Sequence, residues 1–182
     1  MQASFFDMNY ENQIEDNAPL SVRMRPTTLD EFVGQSHIIG KGKLLYRLIE
    51  ADKLSSVVFY GPPGTGKTTL AKIIAHRTQA AFYELNAVTS GKKEITEILD
   101  KAKDNLGIYN RKSILFIDEI HRFNKAQQDA LLPSVEGGLV VLIGATTENP
   151  YFEINSPLLS RSTIFEFKTL TDDEIKGLLR RA

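Results

Sequence analysis

The sequence predicts an α/β fold in which a five-stranded parallel sheet lies between helices. Five short runs of almost continuous Val, Ile, Leu and Phe residues indicate buried strands, and segments with helical periodicity separate them. Such runs are typical of parallel strands, which are covered on both faces. A length of 182 residues, 42% of them hydrophobic, suits one domain with its own core.

The elements follow from these patterns in chain order. The predicted strands are residues 55–60, 81–86, 113–118, 139–146 and 163–168. The predicted helices are residues 43–53, 67–79, 92–103 and 125–135. We expect an interruption of the last helix near Pro133, because proline lacks the N–H that a helix interior uses. Another helix is expected to begin after Thr171, which forms a capping-box pattern with Glu174.

Changes in composition divide the chain into three parts. Residues 1–18 are polar and acidic without helical periodicity, which predicts a flexible tail. Residues 19–170 hold the alternating strands and helices of the predicted domain. Residues 171–182 contain the start of a helix, so we expect the chain to be a domain cut from a longer protein.

Composition and charge exclude several classes of protein. A net charge of −1 gives no domain-wide basic field, so any contact with nucleic acid has to be local. The absence of cysteine excludes disulfides and thiolate metal sites and suits a reducing compartment. His76 and His121 lack metal-ligand spacing. The longest apolar run, LVVLIGA, is far shorter than the roughly 20 residues of a membrane span. We therefore expect a cytoplasmic protein without a membrane partner.

A glycine-rich segment, GPPGTGKT, fits the phosphate-loop pattern G-x-x-x-x-G-K-[ST] between a predicted strand and a predicted helix. Glycines let successive backbone N–H groups turn towards phosphate oxygens, and the helix start adds partial positive charge. Lys67 is expected to reach the β- and γ-phosphates of a nucleotide, and the Thr68 hydroxyl to bind Mg²⁺. The predicted nucleotide-binding residues are Gly61, Pro62, Pro63, Gly64, Thr65, Gly66, Lys67, Thr68 and Thr69.

The apolar run ILFIDEI ends in two adjacent carboxylates at the sheet edge where α/β folds bind ligands. Asp118 is expected to hold Mg²⁺ through water, and Glu119 to orient and deprotonate an attacking water. A water-activating base favours a hydrolase over a small-molecule kinase. The nearest match to the guanine-reading pattern N-K-x-D is NKAQ, with Gln127 in the place of the aspartate, so we expect ATP.

Four motifs, GPPGTGKTT, FIDEIHRF, GATTENP and LLSRS, resemble in content and order those of the AAA+ ATPases, especially clamp loaders and branch-migration motors. Longer segments such as DEIHRFNKAQQDALLPSVE are similar to a narrower group, the replication-associated recombination ATPases and their Werner-helicase-interacting relatives. The resemblance covers residues 19–182. It implies the strand order 5-1-4-3-2 and a helical lid with a second sensor arginine beyond residue 182.

The resemblance also implies roles for residues around the phosphate loop. Thr147 matches the polar sensor of the γ-phosphate or its water, with Thr146 as the alternative if the register differs by one residue. Asn86 matches the residue that can hold Glu119 inactive until a partner binds. The segment implied to line adenine contains Arg25, Val33, Gly34, His37 and Ile38.

Arg161 in LLSRS matches the arginine finger that serves the nucleotide of a neighbouring subunit. A cation is needed there because charge builds on the γ-phosphoryl oxygens, and a finger from another molecule is worth about 10³–10⁵ in rate. This implies a homo-oligomeric ring or partial ring in the longer protein. Considered alone, Arg161 could instead cap local carbonyls.

Two predicted helix starts carry basic residues just after the carboxyl ends of strands. They are Lys92 and Lys93 in VTSGKKEI, and Arg122 and Lys125 in HRFNKAQQ. In clamp-loader relatives such helix starts follow a DNA backbone, so we expect phosphate contacts without sequence reading. Solvated charge at a helix end is the alternative.

The leading hypothesis is a DNA-dependent ATPase of stalled or damaged replication forks and recombination, with inter-subunit sites, acting on single-stranded or gapped DNA ends. The alternatives are a clamp-loader or branch-migration subunit, and a nucleotide-gated interaction module without significant hydrolysis. Glu119 and Arg161 occurring together argue against the last. The resemblance further implies single-stranded-DNA-binding protein and the replisome as partners, a location at the nucleoid or fork, and weak or no hydrolysis by this fragment alone.

Overall fold

Five parallel strands form one sheet in the part of the chain that the computed structural model describes, which is Pro19 and residues 24–181. The strands are β1 (Val57–Tyr60), β2 (Ala81–Asn86), β3 (Ser113–Asp118), β4 (Val141–Thr146) and β5 (Thr163–Glu166). Their order, β5-β1-β4-β3-β2, confirms the prediction. The predicted acidic tail, residues 1–18, lies outside the described residues.

Helices cover both faces of the sheet. They are α1 (Ser36–Ile39), α2 (Leu44–Glu50), α3 (Lys67–Arg77), α4 (Lys92–Tyr109), α5 (Lys125–Glu136), α6 (Pro150–Glu153), α7 (Ser156–Leu159) and α8 (Asp172–Arg181), with a 3₁₀ turn at Ile120–Arg122. Within residues 24–181, no helix has the length and apolarity that a membrane crossing needs.

The side chains of β3 alternate between two hydrophobic cores, as those of a strand buried on both faces must. Phe116 belongs to the core that contains Leu70 of α3, and Leu115 belongs to the core that contains Ile95 of α4. Leu70, Leu115 and Phe116 are fully buried. Burial of a side chain of this size stabilises the fold by about 1.5–3 kcal/mol.

Two helices differ from their predicted form by more than a shift of one to three residues at an end. Helix α4 continues to Tyr109 instead of ending at residue 103, and it ends where Asn110 adopts a left-handed backbone with φ 49°. The interruption predicted near Pro133 is wrong, because α5 runs through this residue to Glu136. Proline removes one N–H from the ladder, but the preceding residues Gln128 and Leu131 are buried, and the Gln128 amide donates to the carbonyl oxygens of Phe123 and Glu153.

The parallel sheet has two chemically distinct edges. The carboxyl ends of all strands lie at one edge, called the carboxyl edge below, where the segments after Tyr60, Asp118 and Thr146 begin. The amino ends lie at the opposite edge, the amino edge, where Ser56, Ser113 and Val141 lie. Ligands of open α/β sheets bind at the carboxyl edge.

Candidate nucleotide site

The phosphate loop joins β1 to α3 at the carboxyl edge. Gly61 and Gly66 have φ of 147° and 94°, which L side chains rarely adopt. A Cβ at Gly61 would collide with the carbonyl oxygen of Phe167, and one at Gly66 would lie 2.7 Å from Cζ of Phe32. Glycine is therefore required at both positions for the loop to curl as it does.

Lys67 lies across this loop. Its Nζ donates to the carbonyl oxygens of Gly61 at 2.6 Å and Pro62 at 2.8 Å. Burial lowers the pKa of Lys67, while the charges of Glu119 and Asp118 act in the opposite direction. The ammonium group is thus positioned between the loop and two carboxylates, where the terminal phosphates of a nucleotide would lie.

Gln35 braces the loop, and the sequence interpretation did not identify it. Its amide donates to the carbonyl oxygen of Lys168 at 2.6 Å and approaches that of Thr65 at 3.5 Å, while its Oε1 accepts from the Lys168 N–H at 2.9 Å. Gln35 is buried. Its partners are backbone groups far away in sequence, so no local pattern reveals the contact.

The two carboxylates follow directly from β3. Asp118 is the last residue of the strand, and Glu119 adopts a left-handed backbone with φ 53° and ψ 44°. For a residue other than glycine this conformation costs roughly 1–2 kcal/mol. Burial raises the pKa of Asp118, and the charge of Glu119 raises it further, whereas Lys67 lowers it. Strain and like charge together are typical of a functional site.

The two carboxylates and loop residues 63–69 line a cavity of about 760 Å³, whereas Gly61 and Pro62 of the predicted nucleotide-binding loop do not line it. A cavity of this size suits a small-molecule ligand. Its lining residues are Met24, Arg25, Pro26, Pro63, Gly64, Thr65, Gly66, Lys67, Thr68, Thr69, Asp118, Glu119, Thr147, Leu178, Leu179 and Arg181. The oxygen donors Thr68 and Asp118 fit Mg²⁺, and the glycine cradle with Lys67 fits a triphosphate. The sequence interpretation missed the contributions of Met24, Pro26 and helix α8.

The segment predicted to line adenine is only partly at this cavity. Arg25 lines it, whereas the other four residues lie elsewhere. The ring Nε2 of His37 is 2.8 Å from the carbonyl oxygen of Glu166, which ties α1 to the end of β5. Ile38 is buried in the core, and Gly34 lies against Leu170. These contacts explain three of the four residues by packing, and an adenine role for Val33, Gly34, His37 and Ile38 stays a prediction.

The two threonines at the end of β4 differ in whether they face the cavity. Thr147 lines it, whereas Thr146 is buried and its Oγ1 bonds the backbone N–H and carbonyl of Glu148 at 3.0 and 3.3 Å. Thr147 is therefore the better placed candidate for the polar sensor, and its role stays a prediction.

Asn86 lies beside Asp118 in the sheet register. Its Oδ1 accepts from the N–H of Val88 at 2.9 Å, and no hydrogen bond in the described part of the chain joins it to Glu119. Its restraining role also stays a prediction.

Arg161 lies at the amino edge, away from the cavity of its own chain. Its Nη2 is 2.6 Å from Oε1 of Glu136, and its Nη1 donates to the carbonyl oxygen of Pro157 and to Oγ of Ser160. It lines a second cavity with Ser56, at the amino end of β1. The local-carbonyl contact predicted as the alternative is thus present, together with an ion pair.

The four basic residues considered for nucleic acid are exposed at the carboxyl edge. Both helix starts are capped from within the chain. The N–H of Gly91 donates to Oε2 of Glu94 at 2.8 Å, and the N–H of Gln127 donates to Oδ1 of Asn124 at 3.0 Å. Glu94 and Asn124 therefore already cap the two helix starts. Phosphate contacts by the side chains of Lys92, Lys93, Arg122 and Lys125 stay a prediction.

Residues 57–170 match the model of the ATPase family associated with various cellular activities (AAA). The chain belongs to this family of ATPases, as its motifs predicted.

Within that class the chain is similar to proteins named Replication-associated recombination protein A. It is 53% identical to the Haemophilus influenzae protein over 97% of this chain and 39% of that protein. It is 49% identical to ATPase WRNIP1 of Dictyostelium discoideum, over 90% of this chain and 19% of that protein. The chain thus spans about two fifths or less of these relatives.

A solved structure, the RuvB Holliday junction branch migration motor of Thermotoga maritima, has the same fold. It superposes with a TM-score of 0.71 at 35% identity, over 87% of this chain and 53% of that chain.

Proposed function

We propose that this chain is the nucleotide-binding domain of a DNA-dependent ATPase that acts at stalled or damaged replication forks and in recombination. ATP is hydrolysed at sites between subunits, on single-stranded or gapped DNA ends. The names of the relatives support the process, and the cavity supports the reaction. Because the chain spans 39% of its bacterial relative, the complete activity belongs to the longer protein, and this chain alone is expected to turn over ATP weakly or not at all.

Each residue of the site has its own role in the proposed hydrolysis of ATP. The loop N–H groups and Lys67 bind the β- and γ-phosphates, and Thr68 and Asp118 hold Mg²⁺. Bound Mg²⁺ neutralises charge on the phosphate oxygens. Glu119 takes the proton of the attacking water, and Thr147 orients that water or the γ-phosphate.

The proposal of an inter-subunit site rests on a single observation, the position of Arg161. The N–H of Thr163 bonds the carbonyl oxygen of Ser56, so the chain after Arg161 is level with the amino end of β1. The five steps from Ser56 to Gly61 cover roughly 16 Å of extended strand. This distance from the phosphate loop of its own chain supports a role for the cation in the site of a second copy.

Head-to-tail assembly provides this arrangement. In a heterologous interface, a different surface of each copy meets the next copy, and such contacts close into rings. The amino edge of one copy would face the carboxyl edge of its neighbour, so Arg161 reaches the neighbour's triphosphate. The finger then stabilises charge that develops on the γ-phosphoryl group.

Exposed basic side chains at the carboxyl edge support the DNA part of the proposal. Lys92, Lys93, Arg122 and Lys125 would bind phosphates irrespective of sequence. We also propose single-stranded-DNA-binding protein and the replisome as partners, and a cytoplasmic location at the nucleoid or the fork, on the names of the relatives.

ATP turnover by the full-length protein tests the proposal. We expect single-stranded or gapped DNA to stimulate the wild type, and Glu119→Gln to bind ATP while losing roughly 10²–10⁴ in rate. The exposed Glu50→Gln change is the matched control, because Glu50 pairs with Arg77 away from the cavity. Turnover that is indifferent to DNA would contradict the DNA dependence. Undiminished hydrolysis by Glu119→Gln would contradict the role of the base, and no hydrolysis by the wild type would favour a nucleotide-gated interaction module.

A branch-migration motor or clamp-loader subunit is the second candidate, because the structural likeness to RuvB covers 87% of the chain. Incubation of the full-length protein with a synthetic four-way junction separates the two. ATP-dependent movement of the junction supports the motor, whereas stimulated hydrolysis without movement supports the first proposal.

A further inference from the structure

His121 lies beside Glu119, the candidate base. It belongs to the 3₁₀ turn that follows Glu119, and its side chain is only 14% exposed. Its ring Nδ1 is 3.3 Å from Oε2 of Glu119 and 3.0 Å from Oγ1 of Thr146. One ring nitrogen thus faces both the base and the end of β4.

The neighbours of this nitrogen determine where its proton lies. A carboxylate oxygen only accepts hydrogen bonds, so Nδ1 has to carry a proton to approach Glu119 favourably. The Thr146 hydroxyl is oriented to donate to the carbonyl oxygen of Glu148, which leaves its lone pairs for the Glu148 N–H and for Nδ1. Both contacts therefore favour the tautomer with the proton on Nδ1.

Glu119 has few other anchors. Its Oε2 is buried and accepts no hydrogen bond within residues 24–181, although Nδ1 of His121 lies 3.3 Å away. The two groups are close enough for a hydrogen bond but not aligned for one, and catalytic hydrogen bonds are often poorly aligned until a substrate binds. Because Glu119 lines the cavity while Oε2 is buried, Oε1 is the oxygen left to meet a water molecule.

We propose that His121 is a positioning residue, whose Nδ1–H holds Oε2 of Glu119 so that Oε1 faces the attacking water. Thr146, fixed by the backbone of Glu148, holds the imidazole in turn. The inference rests on the proposed hydrolysis with Glu119 as base. The two threonines at the end of β4 then have linked roles. Thr147 lines the cavity, and Thr146 orients His121, which in turn positions Glu119.

Steady-state kinetics of the full-length protein test this role with two variants of His121, one that lacks a hydrogen-bond donor and one that keeps a donor. His121→Phe keeps a planar ring without a donor, whereas the side-chain amide of His121→Asn can replace the Nδ1–H. We expect His121→Phe to lower kcat roughly 10- to 100-fold, as small misplacements of catalytic groups do, with KM and ATP affinity unchanged. His121→Asn should stay within a few fold of the wild type.

Two further variants separate positioning from general damage. Adding His121→Phe to Glu119→Gln should lower the rate no further, because both changes act through one group. His76→Phe, at an exposed position of α3, should leave kcat unaltered. Wild-type kcat in His121→Phe, an equal loss in His121→Asn, or a rise in KM alone would overturn the proposal.

Nitrogen-15 NMR of labelled histidines gives an answer that needs no turnover. We expect the His121 resonances to show a protonated Nδ1 in the full-length protein, and Glu119→Gln and Thr146→Val each to shift that nitrogen. An unprotonated Nδ1 would overturn the positioning role even if the protein hydrolyses ATP. A protonated Nδ1 that responds to both changes, in a protein without ATPase activity, would support the geometry and refute the proposed function instead.

Discussion

The two edges of the sheet differ in how far their charged groups are buried and in how those groups are paired. At the carboxyl edge, Lys67, Asp118 and Glu119 lie partly buried around one cavity, and Glu119 keeps a left-handed backbone. At the amino edge, Arg161 and Glu136 form an ion pair whose side chains are 41% and 47% exposed. One edge concentrates like charge and strain, whereas at the other edge Arg161 is neutralised at the surface.

This difference is consistent with the proposal that each edge is half of an inter-subunit site. Partly buried carboxylates close to one another lower stability, so their presence points to a function. A surface ion pair contributes only about 0–1 kcal/mol, so a triphosphate can replace Glu136 at little cost. On the proposed function, the carboxyl edge would bind and activate ATP, and the amino edge of the next copy would supply the missing cation.

The largest expected effect comes from the amino edge. Arg161→Ala in the full-length protein should lower ATP turnover by about 10³–10⁵, because the transition state loses its finger. ATP binding should persist, since the phosphate loop is untouched. The matched control is Arg77→Ala, which removes an arginine paired with Glu50 on another surface. Equal turnover in the Arg161 variant and the control would contradict the proposal that the amino edge supplies the finger.

A smaller effect is expected at the helix starts of the carboxyl edge. Changing Lys92 and Lys93 to glutamate should abolish DNA stimulation while basal turnover is kept. If both contact single-stranded phosphates, the logarithmic salt dependence of binding should become shallower by roughly 1.4.

Lys101 and Lys103, exposed further along α4, provide the same charge change as a control. Unchanged stimulation after reversal of Lys92 and Lys93, or an equal loss in the control, would assign these lysines to a solvated helix end.

The smallest expected effect concerns stability, and its sign differs between the edges. Glu119→Asn should raise the free energy of unfolding by roughly 1 kcal/mol, because asparagine tolerates a left-handed backbone. Glu136→Asn should lower it by less than about 1 kcal/mol, since it removes a surface ion pair. Both changes are measured as shifts in the midpoint of urea unfolding of this chain, provided that the m-value, the slope of unfolding free energy against urea concentration, stays the same. A loss of stability in Glu119→Asn would mean that the carboxyl edge stores no strain there.

The sequence predicted those features of the fold and the site that depend on a local pattern of residues. The apolar run ending in Asp118 and Glu119 required a buried strand with its carboxylates at one edge, and the glycines of the phosphate loop required a curled backbone. The strand order came from resemblance to a family, because no local pattern in β5 specifies that it pairs with β1.

The rest depends on contacts between distant residues. Gln35 bonds the backbone of Lys168, and His121 approaches Thr146, through pairings that only the folded sheet creates. The prediction for Pro133 failed for the same reason, since tertiary packing around Leu131 outweighs the missing N–H.

Co-expression of two inactive variants tests the inter-subunit site most directly. Arg161→Ala keeps a complete carboxyl edge, and Glu119→Gln keeps the finger, so neighbouring copies of the two restore a complete site. With random assembly into rings, we expect roughly a quarter of the wild-type turnover, because one interface in four joins the intact halves. A mixture that stays as inactive as either variant alone would show that each chain completes its own site, which contradicts the account.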